Sequence, residues 1–140
     1  MNVQPYLFFE GRAAEALAFY CKALGSEPTM VMRYDQSPDA PPPGMKPPPG
    51  DKIMHASFRV GDTEVMLSDG ACSGKPQFTG FSLSLEAMNE TDARRKFDAL
   101  AAGGQVVMPL GRTFWSPCFG MLTDRFGVGW FVTVAQVLVQ

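Results

Sequence analysis

Residues 5–25 read Pro5-Tyr6-Leu7-Phe8-Phe9-Glu10-Gly11-Arg12-Ala13-Ala14-Glu15-Ala16-Leu17-Ala18-Phe19-Tyr20-Cys21-Lys22-Ala23-Leu24-Gly25. The apolar run 6–9 is β-prone and too short for a helix. Glu10-Gly11 breaks it. From Ala13, apolar side chains at 13, 16, 17, 20 and 24 recur along one helical face. Arg12, Glu15 and Lys22 fall largely on the other face. Gly25 suits the left-handed conformation that closes a helix. A strand–helix unit of this kind cannot bury its apolar face alone, so the chain downstream must supply a sheet.

That sheet is legible. Residues 28–34 read as a second strand. Residues 53–60 alternate Ile53, His55, Ser57, Arg59 against Met54, Ala56, Phe58, Val60, the period of a strand with one buried face. Gly61-Asp62 turns the chain and 63–67 return, which makes 53–68 a hairpin. Residues 68–77 form a loop. Then the pattern restarts. A strand is expected over 80–86. Asn89 caps a helix with Asp92 in its first turn, and Ala93, Phe97, Leu100 and Ala101 form the buried stripe. Gly103-Gly104 closes that helix. Strands follow at 105–110, 119–123 and 129–134. Each half is strand, helix, strand, strand, strand, and two copies of one β-α-β-β-β unit explain why neither half looks self-sufficient.

Between the second and third strands the composition changes. Pro38, Pro41, Pro42, Pro43, Pro47, Pro48 and Pro49 place seven of the chain's twelve prolines in residues 35–51. Such a segment cannot enter a sheet ladder and has little to bury. It reads as a long exposed connection of polyproline II character: a lid or binding loop, an insertion without a role, or a docking site for a proline-recognition domain.

The 140 residues suffice for one domain with a core. Net charge is −2, with no basic surplus for phosphate contacts, so no nucleic-acid partner is expected. No apolar run approaches bilayer length, so no membrane partner is expected either. The N-terminus lacks a positive segment followed by an apolar one, so no signal peptide is expected. Cys21, Cys72 and Cys118 are odd in number and lack C-x-x-C spacing, which argues against a disulfide framework and a structural zinc site. A reduced, cytoplasmic protein follows as the expectation.

Taken together, the chain resembles the vicinal oxygen chelate superfamily (glyoxalase, bleomycin resistance and extradiol dioxygenase proteins), and within it the PhnB-like proteins. The residues that carry this are 5–11, Ala18-Phe19-Tyr20 with Leu24-Gly25, His55-Ala56, Arg59-Val60-Gly61-Asp62 and Met66-Leu67-Ser68-Asp69. The second half adds Gly80-Phe81, Thr113-Phe114-Trp115, Phe119-Gly120 and residues 123–130. The resemblance implies an α+β fold of two β-α-β-β-β modules. These would form a glyoxalase-like paired half-barrel with a central cavity, as one domain over 1–140 (module one 1–70, module two 80–135). It also implies a homodimer. Some sequences of this group carry the label 3-demethylubiquinone-9 3-methyltransferase. Nothing here resembles an S-adenosylmethionine-binding glycine-rich loop after a strand.

Superfamily enzymes hold a metal on the first and last strands of each module. The matching positions here fall near Gln4 or Tyr6, Met66 or Ser68, Phe81, and Phe131. Of these only Gln4 is a candidate ligand, and an amide oxygen is a weak one. His55 is the only histidine, whereas an extradiol dioxygenase needs two histidines and a carboxylate on iron. His55 is a candidate general base, since histidine titrates near neutrality. The competing reading is a histidine hydrogen-bonded within the sheet or facing solvent. Cys72 and Cys118 read as inert rather than reactive. Phe8, Phe81, Phe114, Trp115, Trp130 and Phe131 supply core or apolar pocket lining.

The expectation is a small-molecule-binding protein with no cofactor and no functional metal site. Its ligand contacts would be Tyr6, Phe8, Ser68, Phe81, Trp115 and Phe131. The alternatives are a divergent metal-dependent lyase or isomerase of glyoxalase type and, lastly, the methyltransferase of the subgroup's label.

Overall fold

A computed structural model describes residues 1–38, 43, 44 and 46–136. Two compact units divide it, Met1–Pro76 and Gln77–Gln140. Pro41 and Pro42 of the proline-rich segment lie outside the described residues.

The first unit contains β1 (Tyr6–Phe8), α1 (Ala13–Leu24), β2 (Pro28–Arg33), a 3-10 turn at Tyr34–Gln36, β3 (Ile53–Val60) and β4 (Thr63–Ser68). Its sheet runs β1-β4-β3-β2, with β1 parallel to β4 and the other pairs antiparallel. Helix α1 lies where its spacing predicts. Ala13, Ala16, Leu17, Tyr20 and Leu24 are buried, and Leu7, Phe9, Ala56, Phe58, Val65 and Leu67 join them in the core. The Tyr20 and Phe58 rings stack with centroids 5.8 Å apart. Gly25 ends the helix at φ 66°, its N–H reaching the Cys21 carbonyl. The base of the proline-rich segment is pinned, Tyr34 N–H to Lys52 O and Asp35 N–H to Gly50 O, each at 3.0 Å.

The second unit repeats the order with β5 (Leu83–Ala87), α2 (Glu90–Ala101), β6 (Gln105–Gly111), β7 (Cys118–Thr123) and β8 (Gly129–Val134). The sheet order is β5-β8-β7-β6, again with one parallel pair, β5 with β8. Asn89 caps α2, its Oδ1 accepting the Asp92 N–H at 2.8 Å. Ala93, Phe97 and Leu100 are buried, as are Leu85, Leu122, Trp130, Val132 and Val134 of the sheet. The Asp124 carboxylate organises the β7–β8 turn. Oδ1 accepts the Phe126 and Val128 N–H groups, and Oδ2 accepts Trp130 Nε1–H at 2.9 Å.

The two mixed sheets with their two helices are the α+β arrangement expected of the repeated unit. Most strand bounds fall within one residue of the periodicity. The exception is β5, which starts at Leu83 rather than 80. No helix among the described residues is long and apolar enough to cross a membrane.

Candidate ligand site

Each sheet has one face under its helix and one face free of it. In the first unit, side-chain alternation settles which residues share the free face. Leu7, Leu67 and Ala56 are buried neighbours in register on the helix side. The residues between them therefore point the other way: Tyr6 beside Met66 and Ser57, and Phe8 beside Ser68. His55 shares this face and lies opposite Met32.

The Tyr6 and Phe8 rings stack with centroids 5.0 Å apart and an interplanar angle of 28°. They are nonetheless 38% and 51% exposed, respectively, so two adjacent aromatic rings meet solvent. The Tyr6 hydroxyl and His55 Nδ1 lie 2.9 Å apart in a hydrogen bond. Burial pushes the Tyr6 phenol up from its ordinary value, so at neutral pH it is a protonated donor. The Tyr34 phenol is likewise raised by burial, and its O–H donates to the Gly70 carbonyl at 2.6 Å. Ser68 Oγ accepts the Gly70 N–H at 2.9 Å. Further along the face, Thr29 Oγ1 and Ser57 Oγ bond at 2.7 Å.

Of the residues expected at a site, Tyr6, Phe8, Ser68 and His55 are thus brought together on one sheet face. Gln4 lies ahead of β1, half-buried. In the second unit Phe131 stands on the helix-free face of β8, opposite Ser84 of β5 and Met121 of β7. Phe119 links it to Trp115, with ring centroids 5.6 Å and 5.3 Å apart. Phe81 sits before β5 and is 46% exposed. A cleft of about 570 Å³ opens nearby, lined by Met88, Glu90, Arg112, Phe114, Pro117 and Val134 among others. Burial raises the thiols of Cys21, Cys72 and Cys118, which favours the protonated form of all three at neutral pH.

Sequence reasoning missed Tyr34 and Phe119 as parts of these clusters. Phe119 alternates with Met121 along β7, so a period-two count could have found it. Tyr34 lies in a 3-10 turn, where no periodicity announces which way a ring points.

The profile of the Glyoxalase/Bleomycin resistance protein/Dioxygenase superfamily matches residues 3–132. The chain belongs to this superfamily. Within the glyoxalase superfamily it is 36% identical over 143 residues to Protein YjdN of Escherichia coli (strain K12), covering 97% of each chain. It matches the crystal structure of protein PA1353 from Pseudomonas aeruginosa with 40% identity and a TM-score of 0.83, covering 98% of this chain and 99% of that one. A PhnB protein from Bacillus cereus, provisionally named a 3-demethylubiquinone-9 3-methyltransferase, matches with 31% identity and a TM-score of 0.79 over 96% of this chain and all of that one. Among the described residues of this glyoxalase relative, no three His, Cys, Asp or Glu side chains come together to hold a metal ion.

Proposed function

We propose that this chain is a PhnB-like small-molecule-binding protein that works without a chelated metal, as a cytoplasmic homodimer. The observation that carries this reading is the helix-free face of the first sheet. Stacked, solvent-exposed Tyr6 and Phe8 adjoin the hydrogen-bonded Tyr6–His55 pair and the hydroxyl of Ser68. An apolar aromatic surface with a few fixed polar groups is the composition of a small-ligand site. The groups around Tyr6 and His55 are phenol, one imidazole, thioether and serine hydroxyl, and the one carboxylate on the face, Glu64, is further along the sheet with Thr29. This does not fit a divalent ion that wants three or four converging nitrogen and carboxylate ligands. In the second unit, Trp115 and Phe131 are joined through Phe119 into a separate aromatic cluster, and Phe81 is exposed ahead of β5.

The homodimer rests on the resemblance and on uncovered strand edges. Val106, Val107 and Met108 on the edge strand β6 are between 42% and 57% exposed. A second copy would cover them.

A thermal-shift screen of small aromatic and dicarbonyl compounds tests the proposal. Stabilisation that survives EDTA supports it. Stoichiometric nickel, zinc or manganese in protein purified without a histidine tag would instead favour a metal-dependent lyase. S-adenosylmethionine, tested by calorimetry, is expected not to bind.

A further inference from the structure

We infer that Tyr6 donates its hydroxyl proton to His55 Nδ1 and fixes the imidazole as its Nε2–H tautomer, so that this sheet face selects planar aromatic ligands bearing a carbonyl oxygen. The inference rests on the reading of this face as a ligand site and names the ligand's chemistry.

The direction of the Tyr6–His55 bond follows from the groups involved. A phenol is a strong donor and a weak acceptor, while the unprotonated imidazole nitrogen is the strongest neutral acceptor on the face. At 2.9 Å the two are paired, and the bond made by one ring nitrogen decides where the proton sits on the other. Nδ1 accepts, so Nε2 carries the hydrogen.

That N–H is the donor left over. The Tyr34 hydroxyl gives its proton to Gly70 O. Ser68 Oγ is held by Gly70 N–H and lies 3.4 Å from Ile53 O. Ser57 and Thr29 satisfy each other, and Thr29 Oγ1 also reaches Glu64 Oε1 at 3.3 Å. Among the described residues, His55 Nε2 has no protein partner. Buried side-chain polar atoms there all have one, so Nε2 is open to solvent. Beside it stand the stacked rings of Tyr6 and Phe8, with the imidazole centroid 5.5 Å from that of Tyr6. A planar ring that extends the stack places a carbonyl substituent against the N–H, which a neutral imidazole offers but a carboxylate or thioether cannot.

His55 is the only histidine, so a long-range proton–nitrogen NMR correlation on labelled protein reads its tautomer without assignment. With the imidazole neutral, the expected pattern is a bare Nδ1 and a protonated Nε2. Tyr6→Phe keeps the ring and removes the donor, and the expected result is a mixture of tautomers. Acetophenone, with ethylbenzene as the oxygen-free control, then probes the ligand class. The ketone is expected to move both the Nε2 signal and the Phe8 ring resonances, and Tyr6→Phe to weaken it about twofold, by the share of imidazole moved to the other tautomer. An Nδ1–H tautomer in the unliganded protein overturns the inference and leaves the ligand site standing. So does equal binding of ketone and hydrocarbon with Nε2 unmoved. If no compound of the wider screen moves Phe8, the ligand-site reading itself falls.

Discussion

The Asp69 carboxylate accepts the Ala13 backbone N–H at 2.8 Å, which ties the first turn of α1 to the exit of β4. The same carboxylate takes Gly11 N–H at 2.9 Å and Ile53 N–H at 2.8 Å. Arg12, at the N-cap position, makes no side-chain cap of its own. A residue 56 positions away therefore does the work that a local Ser or Asp does elsewhere.

Asp69→Ala orphans three backbone donors at once, in a place that is 1% exposed. Each buried unsatisfied donor costs about 1–3 kcal/mol, so for three donors a loss of at least about 3 kcal/mol in unfolding free energy is expected. Asp69→Asn keeps one acceptor oxygen and should lose less. Urea denaturation followed by circular dichroism measures both.

The contact explains what was legible in the chain and what was not. The β3 and β8 strands fall at 53–60 and 129–134 as their alternation predicts, because one face of each is buried and a register slip would expose it. Helix α1 was equally plain, since five apolar positions share one face. Its cap was not, because local pattern carries no information about a partner so distant in sequence. The late start of β5 has a similar origin: Phe81 is apolar but exposed, and composition alone reads it as strand. At the site, Tyr6, Phe8, His55 and Ser68 emerged from strand alternation and resemblance. The Tyr6–His55 bond did not, because it depends on how β1, β4 and β3 lie side by side.

A second stability test lies in the other unit. A Cβ built on Gly104 would overlap the Thr123 carbonyl oxygen and stand 2.8–2.9 Å from backbone atoms of Asp124. Backbone cannot rotate out of the way as a flexible side chain can. Gly104→Ala is therefore expected to cost about 1–3 kcal/mol or more, as overpacking does, despite the better helix and strand propensity of alanine. Gly120→Ala, which meets Phe97 and Leu110 side-chain atoms at 2.8 and 2.9 Å, allows some repacking and should be the milder change. Thermal melts of the two variants side by side test that order.

Asp92 predicts a pH dependence. The Met88 backbone N–H bond, with Lys96 and Arg95 at 3.1 and 2.7 Å, holds its carboxyl below the usual aspartate value. A carboxylate depressed in the folded state contributes stability above its unfolded pKa and loses it as pH falls through the folded one. The difference in unfolding free energy between the native chain and Asp92→Asn should thus be largest at neutral pH and close below about pH 4. A gap that stayed constant down to acid would mean that the aspartate acts by its hydrogen bonds alone.

Phe8→Ala separates a ligand surface from a structural one. Phe8 lies on a strand whose neighbours Leu7 and Phe9 are 3% and 1% exposed, yet its own ring is 51% exposed. Its fold contribution is chiefly the stack on Tyr6, worth about 1 kcal/mol. Truncation should therefore leave the chain folded and shift its melting temperature by a few degrees at most. If the ring instead serves to receive a planar ligand, the thermal shift that any aromatic hit gives the native chain should vanish in the variant. Leu7→Ala is the contrasting control. It removes a fully packed side chain from the α1 side of the same strand, so about 2–5 kcal/mol of stability should go, while the rings on the helix-free face keep their chemistry. Binding lost with stability kept at position 8, and stability lost at position 7, is the pattern that a sheet with one structural and one receptive face must give.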